Sequence, residues 1–222
     1  MRVFKFGGAS IKDADGVKNV IEVLKQTGHN HTLLVISAMG KTTNAMEAIV
    51  DAYFEDKNAI VGKIADTVDY HMSIMRDLFP NQQHKVYKDV KVLIDEINGF
   101  LAWNKSPNYN FVYDQVVGYG ELMASTIVSA YLEEIGIKNN WLDIRNYIKT
   151  DTNYRDTTVN WEKTQELITT IDQSILNITQ GFLGSDNNNF TTTLGREGSD
   201  YSAAILAYCL NADSVTIWKD VP

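Results

Sequence analysis

The sequence predicts an α/β fold, a three-layer α/β/α sandwich around a mostly parallel central sheet. Three observations predict it. Short apolar runs alternate along the chain with stretches whose apolar residues recur at helical spacing. One run, HTLLVIS at 31–37, is apolar almost throughout, as a strand covered on both faces of a parallel sheet requires. Residues 3–37 also read strand, helix, strand within the length of one crossover unit.

Taken in order, residues 3–6 read as a first strand. Residues 13–26 carry Val17, Val20, Ile21 and Leu24 at helical spacing, with Gly28 as the stop. The run 31–37 is the second strand. From 44 onward the pattern is that of two or three amphipathic helices, interrupted at Pro80 and Asn81. This helical insert, residues 44–105, is a lid, an oligomer arm or an extra layer. Residues 106–110 read as a loop, 115–132 as a glycine-led entry into a helix, 138–144 (KNNWLDI) as a short strand and 161–174 as a helix. Apolar runs at 176–184 and 190–194 flank SDNNN, and turn-formers between two such runs predict a hairpin. Residues 199–210 read as a helix capped by Ser199, and 214–218 as a last strand. The sequence stops just past that strand, where open α/β sheets hold their ligands, so we expect the domain to continue beyond Pro222.

Composition narrows the function. The chain has 222 residues, 44% of them hydrophobic and 22% charged, enough for one sizeable core. A net charge of -8 argues against wholesale nucleic-acid binding, which needs clustered Lys and Arg. Cys209 is the single cysteine, so no intrachain disulfide forms, and its apolar neighbours mark it as a buried hydrophobe. Neither a signal peptide nor a membrane-spanning run is legible, and a cytoplasmic location is expected.

Five stretches carry chemistry. In VFKFGGAS (3–10), Gly7 and Gly8 let backbone N–H groups approach an anion, and Lys5 can reach the same anion as a point charge. An edge-strand lysine with an ordinary turn would read the same way. In SAMGKTTN (37–44), Gly40-Lys41-Thr42 tempts a P-loop reading. The glycine that motif needs five positions earlier is Val35, in mid-strand, so the reading fails. What remains is a small-residue loop with hydroxyls opening a helix, capped by Thr42 or Thr43. In VGYGELMAS (117–125), Glu121 follows a glycine at a helix start. It is either a dipole-favoured acid or the group that holds a substrate ammonium. In TTTLGREGSDYSAA (191–204), glycines and Ser199-Asp200 open a helix beside Arg196, an anion site. Asp200 can hold lysines or help position Mg²⁺. In IWKDVP (217–222), Lys219 and Asp220 stand where a strand runs out, which suits a nucleotide.

Together these stretches resemble the aspartate kinases of the amino-acid-kinase family over the whole of 1–222. KFGGAS is similar to their KFGGTS, SAMGKTTN to their serine-alanine loop, GYGE to their substrate glutamate and TTTLGREGSDYSAA to their TTLGRGGSDYSA. KDVP is similar to the start of their nucleotide segment. The resemblance implies the amino-acid-kinase fold and ATP- and Mg²⁺-dependent phosphorylation of the β-carboxylate of L-aspartate, the first step toward lysine, threonine and methionine. It implies that 1–222 is the N-terminal, aspartate-binding portion of the catalytic domain, stopping before the ATP-binding half is complete, and a homodimer in the full-length enzyme.

By position the resemblance implies that Lys5 and Asp200 are catalytic, Asp200 orienting the lysine. Lys5, Gly7, Gly8, Ser199, Lys219 and Asp220 would hold ATP and its phosphates. Ser37, Ala38, Thr43, Glu121 and Arg155 would meet the amino acid. Three departures stand out. Ala9 replaces a threonine. Glu197 replaces a glycine, putting a carboxylate beside the phosphate site. Arg155, in NYRDTTVNWE, lies one residue out of register for the substrate arginine, with Asn160 where an acid is usual. Related kinases acting on glutamate or acetylglutamate, and a non-catalytic amino-acid-binding module, are the rival readings.

Overall fold

In the computed structural model, which describes residues 1–219, strand β1 (Arg2–Phe6) separates two cores. Successive side chains of a strand face opposite ways. Phe4 and Phe6 therefore join Leu34, Ile36 and Ile178 on one face, while Val3 joins Leu33 and Val35 on the other. Lys5 shares the Val3 face and is buried there. Helix α1 (Ala14–Thr27), N-capped by the Asp13 side chain, leads to β2 (Thr32–Ile36), which is buried along its whole length. Gly28 ends α1 with φ +77°, a left-handed position that favours glycine.

The insert is α2 (Thr42–Glu55), α3 (Ile60–Leu78) and α4 (Lys85–Trp103), followed by α5 (Tyr109–Val117) and α6 (Tyr119–Glu134). Met46, Ile49, Ile74, Met75, Val86, Val90 and Ile97 share one core with the Phe4 face of the sheet. The insert is thus an extra layer fused to the core. Helix α5 falls where the sequence reads a loop and a glycine entry. Asn108 caps it by accepting from the Phe111 N–H, and Gly118 passes from α5 to α6 with right-handed helical angles. A glycine interior to a helical path costs little more than about 1 kcal/mol, so it did not break the run.

The chain continues through β3 (Asn139–Leu142), α7 (Trp161–Ile168), β4 (Leu176–Gln180), β5 (Leu183–Ser185), β6 (Thr191–Thr193), α8 (Gly198–Cys209) and β7 (Ser214–Trp218). The central sheet has the order β3-β4-β2-β1-β7, every pairing parallel. Helices α7 and α8 cover the Val3 face through Ile168, Ala203, Ile205 and Leu206, which completes the third layer. The predicted hairpin is β5–β6, antiparallel around 186–190, with Asp186 accepting from the Asn188 and Phe190 N–H groups. Its first arm splits at Gly181, so β4 joins the large sheet and β5 the small one.

Three local expectations are corrected. Helix α7 ends at Ile168, not Ser174, because Thr169 and Thr170 turn their hydroxyls onto the carbonyls of Glu166 and Leu167 and Asp172 closes a turn on Ser174. Helix α8 starts one residue earlier, behind Glu197, and Ser199 makes no cap hydrogen bond. Neither Thr42 nor Thr43 caps α2, whose N-cap position is Lys41. The Thr42 hydroxyl donates to the Met39 carbonyl instead. Among the described residues no helix is long and apolar enough to cross a membrane.

Candidate active site

The carboxyl ends of β1, β2 and β4 open onto one cleft of about 470 Å³. The alternation of β1 explains its lysine. Lys5 points to the Val3 face, which α8 covers, and Asp200 in the first turn of α8 meets it there: Nζ lies 2.7 Å from Oδ1. Lys219, just past β7, reaches the other oxygen of Asp200 at 2.8 Å. Burial pushes the Asp200 carboxyl up, but the ammonium groups of Lys219 and Lys5 outweigh it and hold it below its ordinary value. The same contact raises the exposed Lys219 ammonium.

The loop after β2 supplies Ser37, Ala38 and Gly40, and the start of α2 supplies Thr43, all lining the cleft. Gly8 packs directly on this loop. A Cβ there would lie 2.5 Å from the Ala38 carbonyl oxygen, and the Gly8 carbonyl accepts from the Gly40 N–H. Gly8→Ala should therefore displace the 38–40 loop and cost about 1–3 kcal/mol, the usual penalty of overpacking, in urea unfolding. An unchanged midpoint would show that the contact is soft. Gly7 does not line the cleft, and its N–H is committed to the Trp218 carbonyl.

Glu121, in the first turn of α6, is 3% exposed. Its Oε1 accepts a long 3.4 Å bond from the Ala38 N–H, and its Oε2 has no partner. Burial pushes this carboxyl up to about 8, against smaller opposing effects from backbone N–H groups and the charge of Lys5. It is a buried acid aimed into the cleft with an unused oxygen. Arg155 also lines the cleft, with its guanidinium carbon 4.1 Å from the centre of the Tyr113 ring and one nitrogen 3.2 Å from Glu47.

Ser199 lines the cleft beside Asp200. Glu197 adopts φ +57°, a left-handed position in which glycine is least strained, which accounts physically for glycine being usual there. Its carboxylate is exposed at the rim of the cleft and lies 3.5 Å from Lys219, whose ammonium group offsets its charge. Ala9 is exposed in the turn Gly8–Ile11. Asn160 caps α7. Asp220 lies outside the described residues.

Lys5, Gly8, Ser37, Ala38, Thr43, Glu121, Arg155, Ser199 and Asp200 thus converge on one cavity. Sequence reasoning missed Tyr113, Thr193 and Phe182, which also line it, and Glu47 and Asp114 behind it. The single signal for Asp114 was an acid among apolar residues of an amphipathic stretch, YDQVV. The arrangement suits an anion brought against a lysine, with an amino acid held by an acid and an arginine.

The sequence and the fold have known counterparts. The model of the amino acid kinase family matches residues 1–222. The lysine-sensitive aspartokinase 3 of Escherichia coli is 30% identical over 99% of this chain and 49% of its own length. A chloroplastic bifunctional aspartokinase/homoserine dehydrogenase 2 of Arabidopsis thaliana is 29% identical over 99% of this chain and 25% of its own. The crystal structure of Escherichia coli aspartokinase III with lysine and aspartate superposes with a TM-score of 0.89 at 30% identity, covering 100% of this chain and 50% of that one. The same enzyme with aspartate and ADP gives 0.87, covering 49% of that chain. The chain therefore spans about half the length of the bacterial relative and a quarter of the bifunctional one.

Proposed function

This chain belongs to the amino acid kinase family, and on that premise we propose that it is the aspartate-binding part of an enzyme that phosphorylates the β-carboxylate of L-aspartate with ATP. The observation that carries the reading is the Lys5–Asp200 pair at 2.7 Å, set in a cleft that also holds Glu121 and Arg155. The names of similar proteins, aspartokinases whose structures hold aspartate and ADP, support it.

The chemistry asks little covalent work of the protein. The β-carboxylate of aspartate is already ionised at neutral pH. Its oxygen attacks the γ-phosphorus, the bond to the β–γ bridging oxygen breaks, and ADP leaves with that electron pair. No base is needed. The difficulty is the approach of two anions. Lys5, pinned by Asp200, and the N–H groups opening α8 place positive charge where the phosphoryl group passes, and they need no reorganisation as the reaction proceeds. Glu121 would take the substrate's ammonium group, and Arg155 its other carboxylate. Ser37, Ala38 and Thr43 would line the amino-acid side, and Gly8, Ser199 and Lys219 the phosphate side.

Among the described residues no three His, Cys, Asp or Glu gather as a metal cage. Mg²⁺ would come with the nucleotide's phosphates, its usual mode, and neutralise charge there. Asp200 would be the residue that holds this ion, since its Oδ1 has no partner beyond the ion pair with Lys5.

The test is to incubate the protein with MgATP and hydroxylamine and to measure hydroxamate, the trapped form of an acyl phosphate. The acceptors are L-aspartate, L-glutamate, N-acetylglutamate or none. Hydroxamate with aspartate alone is expected. Preference for another acceptor would reassign the substrate, and calorimetric binding of aspartate without any ATP-dependent product would leave an amino-acid-binding module.

A further inference from the structure

Arg155 is held in an unusual way. Its φ is +72°, a backbone conformation that residues with a Cβ seldom adopt. Something must hold it there, and in the turn 153–156 the flanking Asn153 and Asp156 are exposed while Tyr154 packs on Phe111. The holder is Asp114 on α5, a carboxylate with no exposed surface. It accepts from the Arg155 N–H at 3.0 and 3.2 Å, from the Thr193 N–H at 3.0 Å and from the Thr193 hydroxyl at 2.7 Å. One buried acid thus ties α5, β6 and the Arg155 turn together. The same helix also presents Tyr109 and Tyr113, four residues apart, beneath the guanidinium at 5.6 and 4.1 Å. The backbone of Arg155 is fixed by Asp114 and its head by the two rings and Glu47.

From this geometry we propose that Asp114 is a positioning residue: it sets the place of Arg155 in the cleft and through it the affinity for the amino-acid substrate. The inference rests on the reading that Arg155 meets the substrate's carboxylate. Of the three donors that the buried carboxylate receives, one is the backbone N–H of Arg155 itself and two come from Thr193, which lines the same cleft. A core hydrophobe would leave the Arg155 and Thr193 N–H groups without partners. Burial raises the Asp114 carboxyl to about 6, against the hydrogen bonds from Thr193 and Arg155, so the group is retained at a cost in desolvation. That suits a group kept for geometry.

An amide in place of the carboxylate keeps the shape but offers one acceptor oxygen to three donors. Asp114→Asn should raise KM for aspartate about tenfold, with kcat and the KM for MgATP nearly unchanged, the pattern of lost ground-state binding. Arg155→Ala should do the same. In the double variant the Asp114→Asn change should add nothing further, because its route to the substrate is already gone. Additive effects, or a fall in melting temperature with KM unmoved, would make Asp114 purely structural and overturn the proposal. Should the Asn variant not fold, Asp114→Glu in the same cycle decides it: the charge is kept but displaced by one methylene, so KM should still rise with kcat retained. If the unaltered protein neither binds nor phosphorylates aspartate, the substrate reading itself fails, and that result is distinct from a normal parent whose Asp114 variants are silent.

Discussion

Lys5→Ala is expected to lower kcat by about 10²–10³-fold, the cost of removing one preorganised charge from a phosphoryl-transfer site. The fold should survive. Asp200 keeps its ion pair with Lys219 at 2.8 Å, so the substitution strands no buried charge, and the space vacated opens onto a cleft that water can fill. Lys5→Met, which keeps the stem packed against the Val3 face, should be as inactive and closer to normal in stability. The contrast between the two variants separates lost charge from lost packing. Stopped-flow or steady-state ADP release with saturating MgATP and aspartate gives kcat, and a thermal melt gives stability. Retention of most of the turnover by Lys5→Met would remove Lys5 from the mechanism.

Glu121→Gln should act in two opposite directions. Aspartate binding should weaken by about 10- to 100-fold, the loss of a hydrogen bond between charged groups, while the ligand-free protein becomes more stable at pH 8. The sign follows from the proton balance. The Glu121 carboxyl titrates at about 8 in the folded chain and at 4.5 when unperturbed. Between those values the unfolded chain has lost a proton that the folded chain keeps, so stability falls as pH rises, by about 1.4 kcal/mol per pH unit from this group, and levels off above pH 8. Glutamine has no such titration, so its melting temperature should decline less steeply over pH 5–8. The same shift predicts that aspartate binding releases a proton near pH 7, since an arriving ammonium favours the ionised acid. Calorimetry in buffers of different ionisation enthalpy measures that proton. Equal enthalpies in all buffers, together with unchanged binding by Glu121→Gln, would reduce Glu121 to a buried acid at a helix start. A residue that weakens the empty protein and strengthens the substrate complex is the usual compromise of a binding site.

The sequence by itself determined most strands and helices in their order, α5 excepted, the parallel character of β1 and β2, and the five loop stretches that carry chemistry. These are local matters. An apolar run, a helical period or a pair of glycines is written in consecutive residues, and the physics that reads them acts over a few residues at a time. The tertiary structure alone decided what those loops meet. That Lys5 faces Asp200, 195 positions away, follows from the face of β1 that α8 covers, and no local pattern encodes which layer covers a face. The insert, legible as helices, became part of the core only because its apolar stripes found the Phe4 side of the sheet. Arg155 shows the limit most plainly. Its out-of-register place reads as a weak match, yet Asp114, whose one local signal is an acid among apolar residues, takes the backbone through a left-handed turn and brings the guanidinium into the cleft. A buried acid can do this because it joins donors distant in sequence, and such a joint exists only once the chain has folded around it.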